Sequence, residues 1–239
     1  MSQLHLSTDN KASSALVTFI KSVKNYGVPS RIRLDEGSEF NHVEYLMNRL
    51  NGENRGSVLR GRSVHNQRIE RLWRDVFAKV LMKFYNIFNH MESHDILDIL
   101  NAIHMFSLQY VFALRLQIAL EQWSFAHNYH QIRTENNQSP LQLWTAASLH
   151  SRKQNLTAMN NLFRRDIDGI DRQIEDILDR YHLQEPNDIK VTVPRYEAPL
   201  TPEQLEGLKN GVDPLQASNS DGVDVYGSVV QFIENCRRL

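Results

Sequence analysis

A mixed α/β fold, with helices covering a sheet, is what this sequence predicts. Two observations carry it. Short β-like segments alternate with helical patterns through residues 4–61, in the order strand, helix, strand, helix, strand. From Asn66 onward, apolar residues recur at three- and four-residue steps, the mark of long amphipathic helices. A shift in character after about His150, toward polar helix and then proline-containing acidic sequence, predicts a boundary there. Residues 1–150 then form the core, and residues 151–239 an acidic helical and irregular C-terminal region.

Taken in order, Leu4 and Leu6 alternate with polar neighbours as a short strand would, and Thr8, Asp9 and Asn10 offer helix-capping side chains. Ala12, Ala15, Leu16, Phe19, Ile20 and Val23 share one helical face, and Gly27 followed by Pro29 ends that helix. Ser30 to Asp35 reads as a strand that runs into the turn Asp35-Glu36-Gly37-Ser38, so the strand ends at a carboxylate. Val43, Leu46, Met47 and Leu50 mark a short helix closed by Asn51-Gly52, and a second strand is expected around Ser57 to Gly61. Ile69, Leu72, Trp73, Val76, Phe77, Val80, Leu81 and Phe84 then define one long helix whose aromatics and leucines are expected in the core. A polar break at Asn89 to Asp95 precedes a helix from Asp98 to about Asn128, and Ser139-Pro140 opens a short helix through Trp144. Beyond the boundary come a polar helix over Asp166 to Tyr181, a strand at Ile189 to Val193, a short helix at Pro202 to Lys209 and a last helix from Val223 to Asn235.

Composition bounds the partners. With 239 residues and 41% hydrophobic content the chain can bury a real core. Its one cysteine, Cys236, leaves no internal disulfide or cysteine-based zinc ribbon, which fits a nuclear or cytoplasmic setting. The N-terminus lacks a signal-peptide layout, and the most apolar stretch, Leu108 to Leu120, is interrupted by Gln109, Arg115 and Gln117, so no membrane span is expected. The net charge of −1 hides an asymmetry. Arg49 to Lys83 carries nine Lys and Arg against three acids, whereas Asp166 to Leu239 carries fifteen acids against seven bases. A local arginine surplus can neutralise phosphates and release counterions, although a solvated helix face has the same composition.

Two acids stand where chemistry could occur. Asp35 ends a strand, and in α/β sheets ligands sit at the carboxyl ends of strands. Glu70 lies near the start of the Asn66 helix, where the helix dipole favours a carboxylate. Paired carboxylates suit Mg²⁺ or Mn²⁺, and two such ions about 3.5 to 4 Å apart serve phosphoryl transfer. Exposed acids at strand ends and helix starts are also common without any such role.

The segment Asp35-Glu36-Gly37-Ser38-Glu39-Phe40 resembles the D-x-G-S-x-F segment that carries the second catalytic aspartate of retroviral and retrotransposon integrases. Asn66-Gln67-Arg68-Ile69-Glu70, with 34 residues between Asp35 and Glu70, is similar to the family's helix start, whose glutamate completes the metal site. Asn128-Tyr129-His130-Gln131-Ile132-Arg133 with Ser139-Pro140-Leu141 resembles the end of the same core, so the likeness runs from about Leu4 to Trp144. More narrowly, Gly61 to Val76 looks like a group of animal integrase-core-domain proteins. The resemblance implies a ribonuclease-H-like integrase core lacking its first strands, to which the residue pattern adds long C-terminal helices and a mostly irregular acidic tail. It implies Mg²⁺ or Mn²⁺ as cofactor, DNA as partner, and strand transfer catalysed through Asp35 and Glu70; a homo-oligomer and descent from a transposable element are compatible with it. Arg60, Arg62, Asn66, Arg68, Arg71 and Arg74, around that helix start, are the expected nucleic-acid contacts.

The family's first catalytic aspartate lies on a strand well before the first helix. Here Asp9 is the only acid upstream of Asp35, and its setting is that of an N-cap. Strand transfer is therefore expected to be impaired, and the alternative is a non-enzymatic integrase-derived module that binds nucleic acid or protein. His90-Met91-Glu92-Ser93-His94 lacks the glutamate position of either zincin pattern and reads as a helix end. His127 and His130 read as structural or DNA-proximal.

Overall fold

The computed structural model describes residues 4–7, 11–61, 67–153, 167–180 and 199–238. Helix α1 spans Ala12–Tyr26 and closes where Gly27, at φ 84°, donates its N–H to the Val23 carbonyl. Strand β1 is Ile32–Leu34, a single 3₁₀ turn covers Ser38–Phe40, helix α2 is Asn41–Asn51 and strand β2 is Val58–Arg60. The two strands pair in parallel, with Ile32 opposite Val58 and Leu34 opposite Arg60, so β1, α2 and β2 make one βαβ unit. Helix α3 (Gln67–Val76) runs through a π-helical turn at Phe77–Leu81 into α4 (Met82–Ser93). After it come α5 (Ala102–Tyr129), α6 (Pro140–Lys153), α7 (Ile167–Arg180), α8 (Pro202–Gly211) and α9 (Val223–Arg238).

The chain divides into two compact units, each assembled from two segments: residues 1–70 with 124–189, and residues 71–123 with 190–239. In the first, Leu16, Ile20 and Val23 of α1 meet Leu46 and Leu50 of α2 and Ile174, Ile177 and Leu178 of α7 in one buried cluster. Apolar residues three and four apart line one face of each helix, and the three faces close on one another. Asp176 pairs with Arg49 at 3.7 Å, and the Arg180 guanidinium lies over the Tyr45 ring, 5.5 Å from its centre, and donates to the Tyr45 hydroxyl. Trp144 of α6 meets Tyr26 edge to face at 5.9 Å.

In the second unit α4 and α5 join through an edge-to-face contact between Phe88 and Phe112 at 5.0 Å. The C-terminal segment is tied to α5 by polar bonds. Tyr110 donates to the Val212 carbonyl at 3.0 Å, and Arg115 donates to the carbonyls of Pro214 and Gln216 at 2.8 and 2.7 Å. Tyr226, 1% exposed, donates to the Ile96 carbonyl, and α8 opens with a capping box between Thr201 and Gln204.

Several expectations are corrected. Residues 4–7 form no strand, and Lys11 rather than Asp9 stands at the N-cap of α1; residues 8–10 lie outside the described residues. The tail is not mostly irregular where it is described, because α8 and α9 occupy most of 199–238; the strand expected at Ile189 to Val193 lies outside the described residues. The helix ending in α4 continues through Asn89 to Ser93. The stripe along α3 and α4 is only partly core: Val76, Val80 and Phe84 are buried, but Ile69, Trp73 and Phe77 are 53%, 53% and 44% exposed. The apolar face is wider than the surface that covers it. Helix α5 is long and apolar enough to cross a membrane by length and composition, and 44% of its most apolar window is buried within the protein.

Candidate metal and nucleic-acid site

Parallel pairing sends both strands out of the sheet at the same edge. β1 leaves through Asp35, and β2 leaves through Gly61, whose N–H donates to the Leu34 carbonyl at 3.2 Å. The chain from Gly61 leads to α3, where Glu70 lies exposed in the first turn. Asp35 is half-buried. The strand end and the helix start expected for these two acids are therefore where the structure puts them, both within the first unit.

The turn after Asp35 is held by a residue with a different expected role. The sequence places Arg60 among the phosphate contacts, yet its guanidinium is turned inward. Its Nε donates to Glu44 Oε2 at 2.7 Å, and Nη2 reaches the same oxygen at 2.7 Å and Asn41 Oδ1 at 2.8 Å. Its Nη1 donates to the main-chain carbonyls of Asp35 at 3.2 Å and Gly37 at 2.9 Å. Four hydrogen bonds engage Nε, Nη1 and Nη2, and the ion pair with Glu44 adds a charged contact. The structure thus places Arg60, expected as a phosphate contact, against the chain's own oxygens, with its side chain 25% exposed. The Glu39 carboxylate, the far end of a flexible side chain, folds back over the position that a Cβ on Gly37 would take.

Of the other expected DNA contacts, Arg71 and Arg74 are exposed on α3, three residues apart and so on one face. Arg62 and Asn66 lie outside the described residues, as does the side chain of Arg68. At the end of α4, His90 and His94 face each other, with ring centres 4.1 Å apart and His94 Nδ1 2.9 Å from the His90 carbonyl. That is a helix end closing on itself, in line with the reading of its sequence.

The donor chemistry of Asp35 and Glu70 fits a hard divalent cation, since both offer carboxylate oxygens. The number of donors does not make a full cage: among the described residues no group of three His, Cys, Asp or Glu side chains is placed to hold a metal ion. Sequence reasoning missed Glu44 and Asn41, the partners of Arg60. Glu44 and Arg60 are 16 residues apart, and no local pattern links them.

Compared with known proteins, residues 1–158 match the family model described as integrase core domain. No curated protein and no solved structure matches the chain. The ribonuclease-H-like fold that this family implies is compatible with a mostly helical chain that carries a small parallel sheet. With about two-thirds of its length under that match, the chain belongs to the integrase core domain family.

Proposed function

We propose that this protein is an integrase-type DNA strand-transfer domain in which Asp35 and Glu70 supply metal-ligating carboxylates and the arginines of α3 meet DNA phosphate. One observation carries the reading: Asp35 leaves β1 at the sheet edge from which β2 leads toward the helix bearing Glu70. Family membership supports the same chemistry. Mg²⁺ or Mn²⁺ bound there would polarise a phosphoryl oxygen and activate the attacking hydroxyl. Asp35, half-buried on an anchored turn, offers a fixed oxygen; Glu70 offers one from the positive end of a helix dipole. Arg71 and Arg74 contribute charge along one helix face, which binds duplex DNA through its backbone without reading sequence. Because no third acid joins the pair among the described residues, strand transfer by this chain alone is expected to be impaired. The proposal includes assembly with further copies of the chain, a nuclear or cytoplasmic setting, no membrane partner and a transposable-element origin.

The same shortage of acids favours a second reading, an integrase-derived module that binds nucleic acid or protein without chemistry. Two measurements separate them. Fluorescence anisotropy with duplex DNA across a salt series should show binding whose slope against log salt falls by roughly 1.8 on replacing both Arg71 and Arg74 with Ala, at about 0.9 per phosphate contact. Binding unchanged by the substitutions would remove Arg71 and Arg74 from the interface, and no binding at low salt would remove DNA from both readings. A Mn²⁺-dependent nicking and strand-transfer assay should give activity above that of Asp35→Asn; equal background leaves the binding module.

A further inference from the structure

Between the described strands the ladder stops at the bond from Gly61 N–H to the Leu34 carbonyl. The next carbonyls held along the β1 chain, on Asp35 and Gly37, lie past the end of β2, where no described strand faces them. Arg60 is the last residue of β2, and its side chain reaches forward to the turn that follows β1, beyond the last bond of the ladder. Its Nη1 binds both carbonyls. The other side of the guanidinium is fastened to α2 through Glu44 and Asn41. One side chain thus ties the end of β2, the start of α2 and the turn that carries Asp35.

We infer that Arg60 is a positioning residue for Asp35: it clamps the turn after β1 through two main-chain carbonyls and so sets the direction in which the Asp35 carboxylate leaves the sheet. This rests on the proposed metal-ligand role of Asp35 for its consequence, but not for its geometry. Charge explains the choice of residue. Glu44 neutralises the guanidinium, which is 25% exposed at its side chain, and Arg is needed because the acceptors form a fan about a planar fork. Lysine would keep the charge and lose the fork. With four hydrogen bonds made to the chain's own oxygens, Arg60 is set to hold the turn.

The test uses the full chain and Arg60→Lys, with Glu44→Gln as a gentler second variant that keeps the shape of the acceptor and removes its charge. Hydrogen exchange read by mass spectrometry should show peptides covering residues 35–40 exchanging at least about tenfold faster in Arg60→Lys, and less so in Glu44→Gln, while α5 amides keep their protection; a tenfold change corresponds to about 1.4 kcal/mol. Mn²⁺ titration should show affinity weakened about tenfold in Arg60→Lys and lost in Asp35→Asn, with duplex DNA affinity unchanged in Arg60→Lys. Unaltered exchange at 35–40 in both variants overturns the inference, as does a fall in DNA affinity for Arg60→Lys equal to that for Arg71→Ala. If Asp35→Asn leaves Mn²⁺ binding intact, the metal reading fails, and the exchange result still judges the clamp. If Arg60→Lys fails to fold, the exchange rates of Glu44→Gln decide the matter.

Discussion

Replacing Ile177 with Ala probes whether α7 is part of the core or an attachment to it. Ile177 is 0% exposed and belongs to the cluster shared with Leu16, Ile20 and Val23 of α1 and Leu46 and Leu50 of α2. The substitution removes three buried carbons, worth about 2.4 kcal/mol at about 0.8 kcal/mol each. Incomplete closure of the cavity adds to this, within the range of about 2–5 kcal/mol seen for such changes, so about 3 kcal/mol is expected. A two-unit chain has no single unfolding free energy, so a local probe is needed. Hydrogen exchange supplies it: about 3 kcal/mol should speed the slowest amides of α1, α2 and α7 together by roughly two orders of magnitude. Glu175→Ala, an exposed neighbour on the same helix, should stay within about 0.5 kcal/mol of the parent. Acceleration confined to peptides of 167–180, with α1 and α2 unmoved, would show that α7 opens by itself and refute the shared core.

Two further predictions concern the second unit. Burial, with the Asp98 carboxylate adding to it, pushes the Tyr226 hydroxyl up to about 12 from its ordinary 10.0. The folded chain therefore holds that proton more tightly than the unfolded one, so this stabilisation is complete below about pH 10 and is lost as pH rises toward about 12. Burial also raises the Tyr110 hydroxyl, so ultraviolet titration should show late tyrosines, one of which disappears in Tyr226→Phe; a normal profile for all the tyrosines would contradict its burial. At Gly222, φ is 106°, and a Cβ would meet Arg115 Nε at 3.1 Å and Phe112 Cε1 at 3.2 Å. Gly222→Ala should cost more than about 1 kcal/mol and loosen the segment held by Arg115, read as lost protection at 212–222; wild-type protection there would refute the close fit.

How much of the protein is legible in its sequence depends on the range over which each feature is determined. Helix α1 and its stop at Gly27, the two short strands, and the helix that bears Glu70 follow from periodicity and turn residues, which act within a few positions of the chain. The places of Asp35 at a strand end and Glu70 in a first helical turn come with them, and so does the family, since its motifs are contiguous. Periodicity shows which residues share a face and says nothing of what covers it. For that reason the half-exposure of Ile69, Trp73 and Phe77 cannot be told from the burial of Val76, Val80 and Phe84 on the same stripe.

Arg60 shows the second limit. Its charge is plain, but whether that charge faces phosphate or the chain's own oxygens depends on Glu44, Asn41, Asp35 and Gly37, which only the βαβ turn brings within reach. The acidic C-terminal region, which composition marks as an appendage, instead gives α7 to the first unit and α8 and α9 to the second. Local sequence decided the elements and the chemistry at their ends. Tertiary structure decided their partners, because burial and hydrogen bonding between distant segments depend on which surfaces meet, and no short-range pattern encodes that.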